Sequence, residues 1–235
     1  MAPMNIIPDK NLFIVTSALR PTTGVFDKQT RLEQTIETVK SIRAKISNSI
    51  VIITDASVEE VPQEDVDKLA PWTNGFISWN QDEQIKYFSQ HGHQSVAESL
   101  LMMKTLIMLK RNPGVSKMLN SVKRIFKISG RYRLNEKFDI NDYMSDHLYG
   151  KYIFKKRMPS WCGRESLLVT RLWSMCPSLL DEYISTLPNI INTITSQGID
   201  FEHAHFECLN KEHLFEFDYV YVEGQVARTG EWHYD

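Results

Sequence analysis

Two uninterrupted apolar runs of strand length, separated by one amphipathic helix, constrain this chain more than any other feature. Asn11 to Ser17 reads NLFIVTS, and Ser49 to Thr54 reads SIVIIT. Neither alternates polar with apolar, so each predicts a strand buried on both faces. Between them, Leu32, Ile36, Val39, Ile42 and Ile46 recur at spacings of three and four, which puts them on one stripe of a helix. Thr30-Arg31-Leu32-Glu33 has the form of a capping box at its start. Strand, helix, strand in so short a span implies a parallel pair with a right-handed crossover. The expected class is α/β, with ligands at the carboxyl ends of the strands.

The rest of the chain extends this pattern. Gln63 to Leu69 reads as helix, Gly75 to Trp79 as a third strand, and Gln81 to Gln90 as a short helix. Ser95-Val96-Ala97-Glu98 repeats the capping-box form. The helix it opens, Val96 to Leu109, is apolar nearly all round and so belongs inside the protein. Asn112-Pro113-Gly114 stops it, and Arg124 to Ser129 is the next strand. Tyr152 to Lys155 and Leu167 to Leu172 are further strands. Pro177 and Pro188 each mark a helix start, and Glu202 to Leu209 is a short helix. Phe215 to Val222 alternates aromatic or apolar with acidic residues, so it reads as a half-exposed strand that pairs with Gln225 to Arg228 across Glu223-Gly224. No linker rich in Pro, Gly or Ser interrupts the chain. One continuous domain over residues 1–235 is expected, mostly parallel up to about residue 135 and mixed from about 136 onward.

Composition narrows the function. A formal net charge of -2 gives no global basic field, which argues against nucleic acid as a partner. Met1 to Lys10 lacks the apolar core of a signal peptide, and no run approaches the roughly 20 apolar residues of a transmembrane helix. Cys162, Cys176 and Cys208 are odd in number and widely spaced, which fits neither a zinc site nor a disulfide framework. Reduced thiols and a cytoplasmic location are the expectation. There is no Walker A sequence, no GxGxxG after the first strand, no GxSxG and no HExxH. Those absences argue against P-loop, dinucleotide, α/β-hydrolase and zinc-protease chemistry.

Residues able to carry chemistry gather where strands end and helices begin. Thr16, Ser17 and Arg20 follow the first strand; Arg31 opens the first helix; Asp55 ends the second strand. Glu98 opens the apolar helix, and Lys127, Ser129, Gly130 and Arg131 close the strand Arg124-Ile125-Phe126-Lys127-Ile128-Ser129. Two fixed positive charges around a small-residue turn suit an anionic ligand. Each residue has a plainer use. Asp55 can cap the next turn, Glu98 can serve only its capping box, and Arg31 can lie in solvent. Lys127 stands between Phe126 and Ile128 and needs a partner or solvent. Late in the chain, Asp200 and Glu202 are candidate general bases, or else first-turn acids that complement a helix dipole. Lys155-Lys156-Arg157 beside Trp161 is either an anion site or a solvated loop.

Four of these pieces together resemble the GT-A class of nucleotide-sugar glycosyltransferases, in particular small enzymes from viruses and bacterial surface-polysaccharide loci. They are IVTSALR, RLEQTIETVKSIR with IVIITDAS after it, HQSVAESLLMMKTL, and IFKISGRYRL, and they span roughly the first two thirds of the chain. The resemblance implies a GT-A-like Rossmann-related domain whose first half binds a nucleotide sugar, a UDP-sugar above all, and whose second half binds a glycan or related hydroxyl acceptor. It implies that Thr16, Ser17 and Arg20 line the nucleotide pocket, that Asp55 accepts a hydrogen bond from base or ribose, and that Lys127 and Arg131 approach the diphosphate. The late carboxylates suit an inverting transfer. The usual Asp-x-Asp metal signature is missing, and Ser129-Gly130-Arg131 stand in its place. An ammonium and a guanidinium can neutralise a leaving diphosphate, so transfer without metal is one expectation, with Mn²⁺ or Mg²⁺ left open. The rival readings are another nucleotide-dependent transferase and a non-catalytic carbohydrate- or nucleotide-binding module on the same fold.

Overall fold

The computed structural model describes residues 10–119, 121–160 and 163–235. In chain order it runs through β1 (Lys10–Ser17), α1 (Lys28–Lys45), β2 (Ile50–Asp55), α2 (Gln63–Leu69), β3 (Gly75–Ser78), α3 (Glu83–Gln90), α4 (Gln94–Arg111), α5 (Pro113–Leu119) and β4 (Val122–Ser129). There follow β5 (Tyr132–Leu134), β6 (Tyr152–Lys155), β7 (Met158–Pro159), β8 (Ser166–Leu167), β9 (Leu172–Met175), α6 (Leu180–Gln197), α7 (Phe201–Cys208), β10 (Leu214–Phe217), β11 (Val222–Gln225) and β12 (Trp232–Tyr234).

A seven-stranded sheet in the order β10-β6-β9-β4-β1-β2-β3 forms the centre. β4, β1, β2 and β3 are mutually parallel, and β9 runs antiparallel between β4 and β6. The apolar runs are continuous because both sheet faces are covered. Alternate residues of β1 enter opposite cores. Leu12 and Ile14 pack with Leu100, Leu101, Leu187 and Phe201 on the side of α4, α6 and α7. Phe13 and Val15 pack with Leu32, Val39 and Ile42 of α1 on the other. Phe13 stacks on Phe126 at 4.5 Å across the β1–β4 pair. A small second sheet, β12-β11-β5, lies over the turn that follows β4.

Several element boundaries differ from the sequence expectations. The start of α1 is capped by Asp27, whose carboxylate accepts from the Thr30 amide, so Thr30 to Glu33 is not the capping box. The start of α4 has no side-chain cap, which releases Glu98 from that duty. Pro113 ends α4 and opens α5, a helix the sequence reading missed. Pro188 lies inside the single helix α6 and does not start a second one. A proline there forfeits a hydrogen bond, at about 3 kcal/mol. The buried stripe of Leu180, Tyr183, Leu187, Ile190 and Ile194 continues on both sides and offsets it. The expected strand over 167–172 is two short strands on either side of Thr170. The expected strand over 215–222 ends at Phe217, and residues 218–221, among them Tyr221 with a left-handed φ of 58°, separate it from the next strand. Residues 222–225 form β11, which pairs with β5 and β12, so Glu223-Gly224 is strand and not a hairpin turn.

Candidate active site

Parallel register sets the site. Thr16 stands opposite Ser129, and Ser17 opposite Asp55 and beyond it Ser78, so the carboxyl ends of four strands share one edge. The turn after β4 is locked onto this edge. The Gly130 amide donates to the Thr16 carbonyl at 2.8 Å. The Thr35 hydroxyl lies 3.1 Å from that of Ser17 and donates to the carbonyls of Arg31 and Gly130. A Cβ on Gly130 would sit 3.0 Å from the Thr35 hydroxyl and 3.3 Å from the Thr16 carbonyl oxygen, so any side chain there would press on both.

Not every candidate faces outward. Asp55 is fully buried, with one oxygen accepting from the Leu19 amide and the other from the Ser57 amide. Burial raises its carboxyl above the usual range, and its hydrogen bonds oppose that. It therefore braces the loop after β1 and offers no surface to a base or ribose. Thr16 and Ser17 are themselves buried, and the Arg20 guanidinium pairs with Asp65 of α2. Lys155 pairs with Asp235, Lys156 with Asp218 and Arg157 with Glu216, so the basic run is neutralised locally. Trp161 and Cys162 lie outside the described residues.

Lys127 is the best-partnered cation of the edge. Alternation along β4 turns it toward α4 and α7, where it is 1 % exposed. Its ammonium lies 2.5 Å from Glu98, and it donates to the Thr170 carbonyl at 2.8 Å and the Ser129 hydroxyl at 3.0 Å. Three acceptors satisfy its three protons. It lies beneath the edge and does not reach a ligand above it. The Thr170 hydroxyl donates to Glu202 at 3.0 Å, so one residue ties Lys127 to the late carboxylate. The two acids are shifted in opposite directions. Burial pushes Glu202 up, reinforced by the charges of Glu98 and Asp200. Burial also acts against ionised Glu98, yet the Lys127 ammonium holds it below the usual glutamate range. Paired carboxylates pushed apart in this way divide the roles of proton acceptor and fixed anion between them.

Asp200 caps α7 through the His203 amide and accepts from the His203 ring at 2.6 Å. The far ring nitrogen of His203 meets the Ser160 hydroxyl at 2.9 Å. The order hydroxyl, imidazole, carboxylate is that of a nucleophilic triad. His203 is 1 % exposed, however, and the Ser160 oxygen also accepts from the Arg164 amide, so the chain reads as a tie between the loop and α7. Of the two late acids, Glu202 faces the cluster and Asp200 serves the helix.

Above the turn the charge is one-sided. Arg31 is buried, and among the described residues its guanidinium donates to the Ala18 carbonyl and the Gln34 side chain. Burial and the nearby Arg131 charge lower it to about 9, against a smaller pull from Asp55. The buried Nε of Arg131 has no hydrogen-bond partner. Arg171, which the sequence reading missed, donates to the Tyr132 hydroxyl at 3.0 Å and lies 2.8 Å from His233. Arg131 and Arg171 lie 6.0 and 5.5 Å from the centre of the Tyr132 ring. Its sequence gives no sign of this, because Arg171 sits in a stretch that reads as strand. A hollow of about 380 Å³ elsewhere, beside α1, is lined by Lys40, Lys45 and Arg133 against Glu37, Glu136 and Glu223, and carries no such imbalance.

No three His, Cys, Asp or Glu side chains among the described residues are grouped to hold a metal ion. No described helix is long and apolar enough to cross a membrane. No family model matches the sequence, and no curated protein matches it. Solved structures do. The mannosyltransferase Ktr4p from S. cerevisiae is 9 % identical, with a TM-score of 0.53 over 90 % of this chain and 69 % of that one. Mouse xyloside xylosyltransferase 1 is 10 % identical at 0.47, over 89 % and 84 %. A glycosyltransferase involved in glycosylation of the major capsid of PBCV-1 is 9 % identical at 0.45, over 90 % and 82 %. The first of these carries the comparison of folds. Its agreement with the mostly parallel central sheet gives the conclusion that this chain has a GT-A-like, Rossmann-related fold.

Proposed function

We propose that the protein is a glycosyltransferase that moves a sugar from a nucleotide-diphosphate donor, in the first instance a UDP-sugar, to a hydroxyl of a glycan or related acceptor. One observation carries the reading. At the carboxyl end of β4, a carboxylate raised by burial stands across Thr170 and Lys127 from a group of arginines. Transfer needs those two functions side by side. A base takes the acceptor proton as oxygen attacks the anomeric carbon, and fixed positive charge receives the departing diphosphate.

In this scheme Glu202 is the base. Its raised pKa gives it a stronger pull on a hydroxyl proton than an ordinary glutamate has. Thr170 holds its orientation, and the Lys127–Glu98 pair fixes Thr170. Attack from the face opposite the leaving group inverts the anomeric centre. The residues up to about 135 hold the donor, and those beyond supply Glu202 and the acceptor side.

A thermal-shift panel of nucleoside diphosphates and sugar nucleotides tests the reading, since a ligand that binds the native state raises its melting temperature. A shift with a uridine diphosphate, together with slow hydrolysis of the matching sugar nucleotide that Glu202→Gln abolishes, is the expected result. No shift with any nucleotide sinks the proposal.

A further inference from the structure

Resting on that reading, we infer that the diphosphate of the donor is held directly by Arg131 and Arg171, with the buried charge of Arg31 behind them and no divalent metal between protein and phosphate. The three guanidiniums converge on the Gly130–Tyr132 turn from α1, from the turn itself and from the residue before β9. Among the described residues none of them forms an ion pair, whereas Arg20, Arg133, Arg157 and Arg164 each do. The nearest acids act on them only at a distance, Asp55 on Arg31 and Glu98 on Arg131.

Burying like charges together without an anion costs free energy, and a bound anion returns it. The geometry favours phosphate. A guanidinium is a planar fork that matches two phosphoryl oxygens, and adjacent phosphates need more than one fork. The buried Nε of Arg131 is a donor with no acceptor among the described residues. The Tyr132 ring, with Arg131 on one contact and Arg171 on another, keeps the two forks apart.

The carboxylates that a metal would require are already engaged. Glu98 faces the Lys127 ammonium, Glu202 accepts from Thr170, and Asp55 accepts from two backbone amides. The Lys127 ammonium already neutralises Glu98 beneath the edge. The donor set at this edge fits an anion and does not fit a divalent cation.

Calorimetric titration with inorganic pyrophosphate and with UDP tests this, first in EDTA and then with added Mn²⁺. The expected result is binding in EDTA that weakens as salt rises and does not strengthen with Mn²⁺. Arg131→Ala and Arg171→Ala should each weaken binding roughly 10- to 100-fold, the loss expected for charge-assisted hydrogen bonds; the ligand-free melting temperature should stay close to that of the wild type for Arg131→Ala and fall for Arg171→Ala, which also loses its bonds to Tyr132 and His233. Arg131→Lys should restore only part of the affinity, because an ammonium lacks the fork. If pyrophosphate and UDP bind only with Mn²⁺ present, the inference falls while the nucleotide-sugar reading stands. If the variants bind as the wild type does, the diphosphate lies elsewhere and the inference falls. If neither ligand binds in any condition, both fall.

Discussion

Two groups of positive charge flank the end of β4, and they differ in one respect. Beneath the edge, Lys127 has a carboxylate, a carbonyl and a hydroxyl as partners. Above it, Arg31, Arg131 and Arg171 have carbonyl, amide, phenol and imidazole partners, one open donor and no acid. The first group is complete within the fold. The second has no counter-charge in direct contact among the described residues. Burial alone does not distinguish a structural ion from a functional one; the presence or absence of a counter-charge does.

The sharpest way to break this contrast is to remove the satisfied cation. Lys127→Met leaves Glu98 facing an apolar group and Thr170 without a donor. It should cost about 3 kcal/mol, read as a lower denaturant midpoint, because one half of a buried pair is left behind. Adding Glu98→Gln should recover part of that loss, since the orphaned charge goes with it. No recovery in the double variant would mean that the pair is not coupled. Next in size, Gly130→Ala should cost about 1–2 kcal/mol by forcing the turn off Thr16 and Thr35.

A pH series sharpens the same contrast on the acid side. Folding raises the Glu202 pKa above its usual 4.5, so the native state keeps a proton that the unfolded chain releases. Stability from this group therefore falls as pH rises from about 4.5 through the folded value. Glu98 acts with the opposite sign, because its folded pKa is lowered. Its contribution is present above the ordinary glutamate range and is lost as pH falls through the folded value. The melting temperature of Glu202→Gln should accordingly fall less steeply than the wild type over that window, and identical slopes would remove Glu202 from the account. The smallest stability effect belongs to the open group. Arg131→Ala should change the unfolding free energy by no more than ~0.5 kcal/mol, since it removes a like charge together with its few contacts. A large destabilisation would show Arg131 to be structural and erase the comparison.

How far the sequence carried this picture depended on the range of the interaction concerned. β1, β2, the helix between them and β4 were legible because their apolar patterns reflect burial on both sheet faces. Lys127 was legible as a residue in need of a partner, since a charge between Phe126 and Ile128 conflicts with its neighbours. Its partner was not, because Glu98 meets it only through the packing of α4 on the sheet. Asp55 stood at the expected strand end, but its two amide partners, Leu19 and Ser57, come from loops with no periodic signal. Pro188 misled because local helix rules carry no information about a buried stripe that continues past it. Arg171 was missed for a related reason: its significance comes from what it lacks, and the absence of a nearby acid is a property of three dimensions.

Gly224 of β11 lies so close to the turn after β4 that a side chain there would collide with the Arg131 carbonyl oxygen. The Val25 amide donates to the Ala227 carbonyl, and Gln34 on α1 reaches Gln225. Residues 222–234 therefore frame the turn after β4 from much later in the chain. On a ribosome, where chains fold from the N-terminus onward, the sheet through β4 can assemble well before that frame emerges. The turn after β4 is thus built early and framed late, once β11 and β12 have left the exit tunnel.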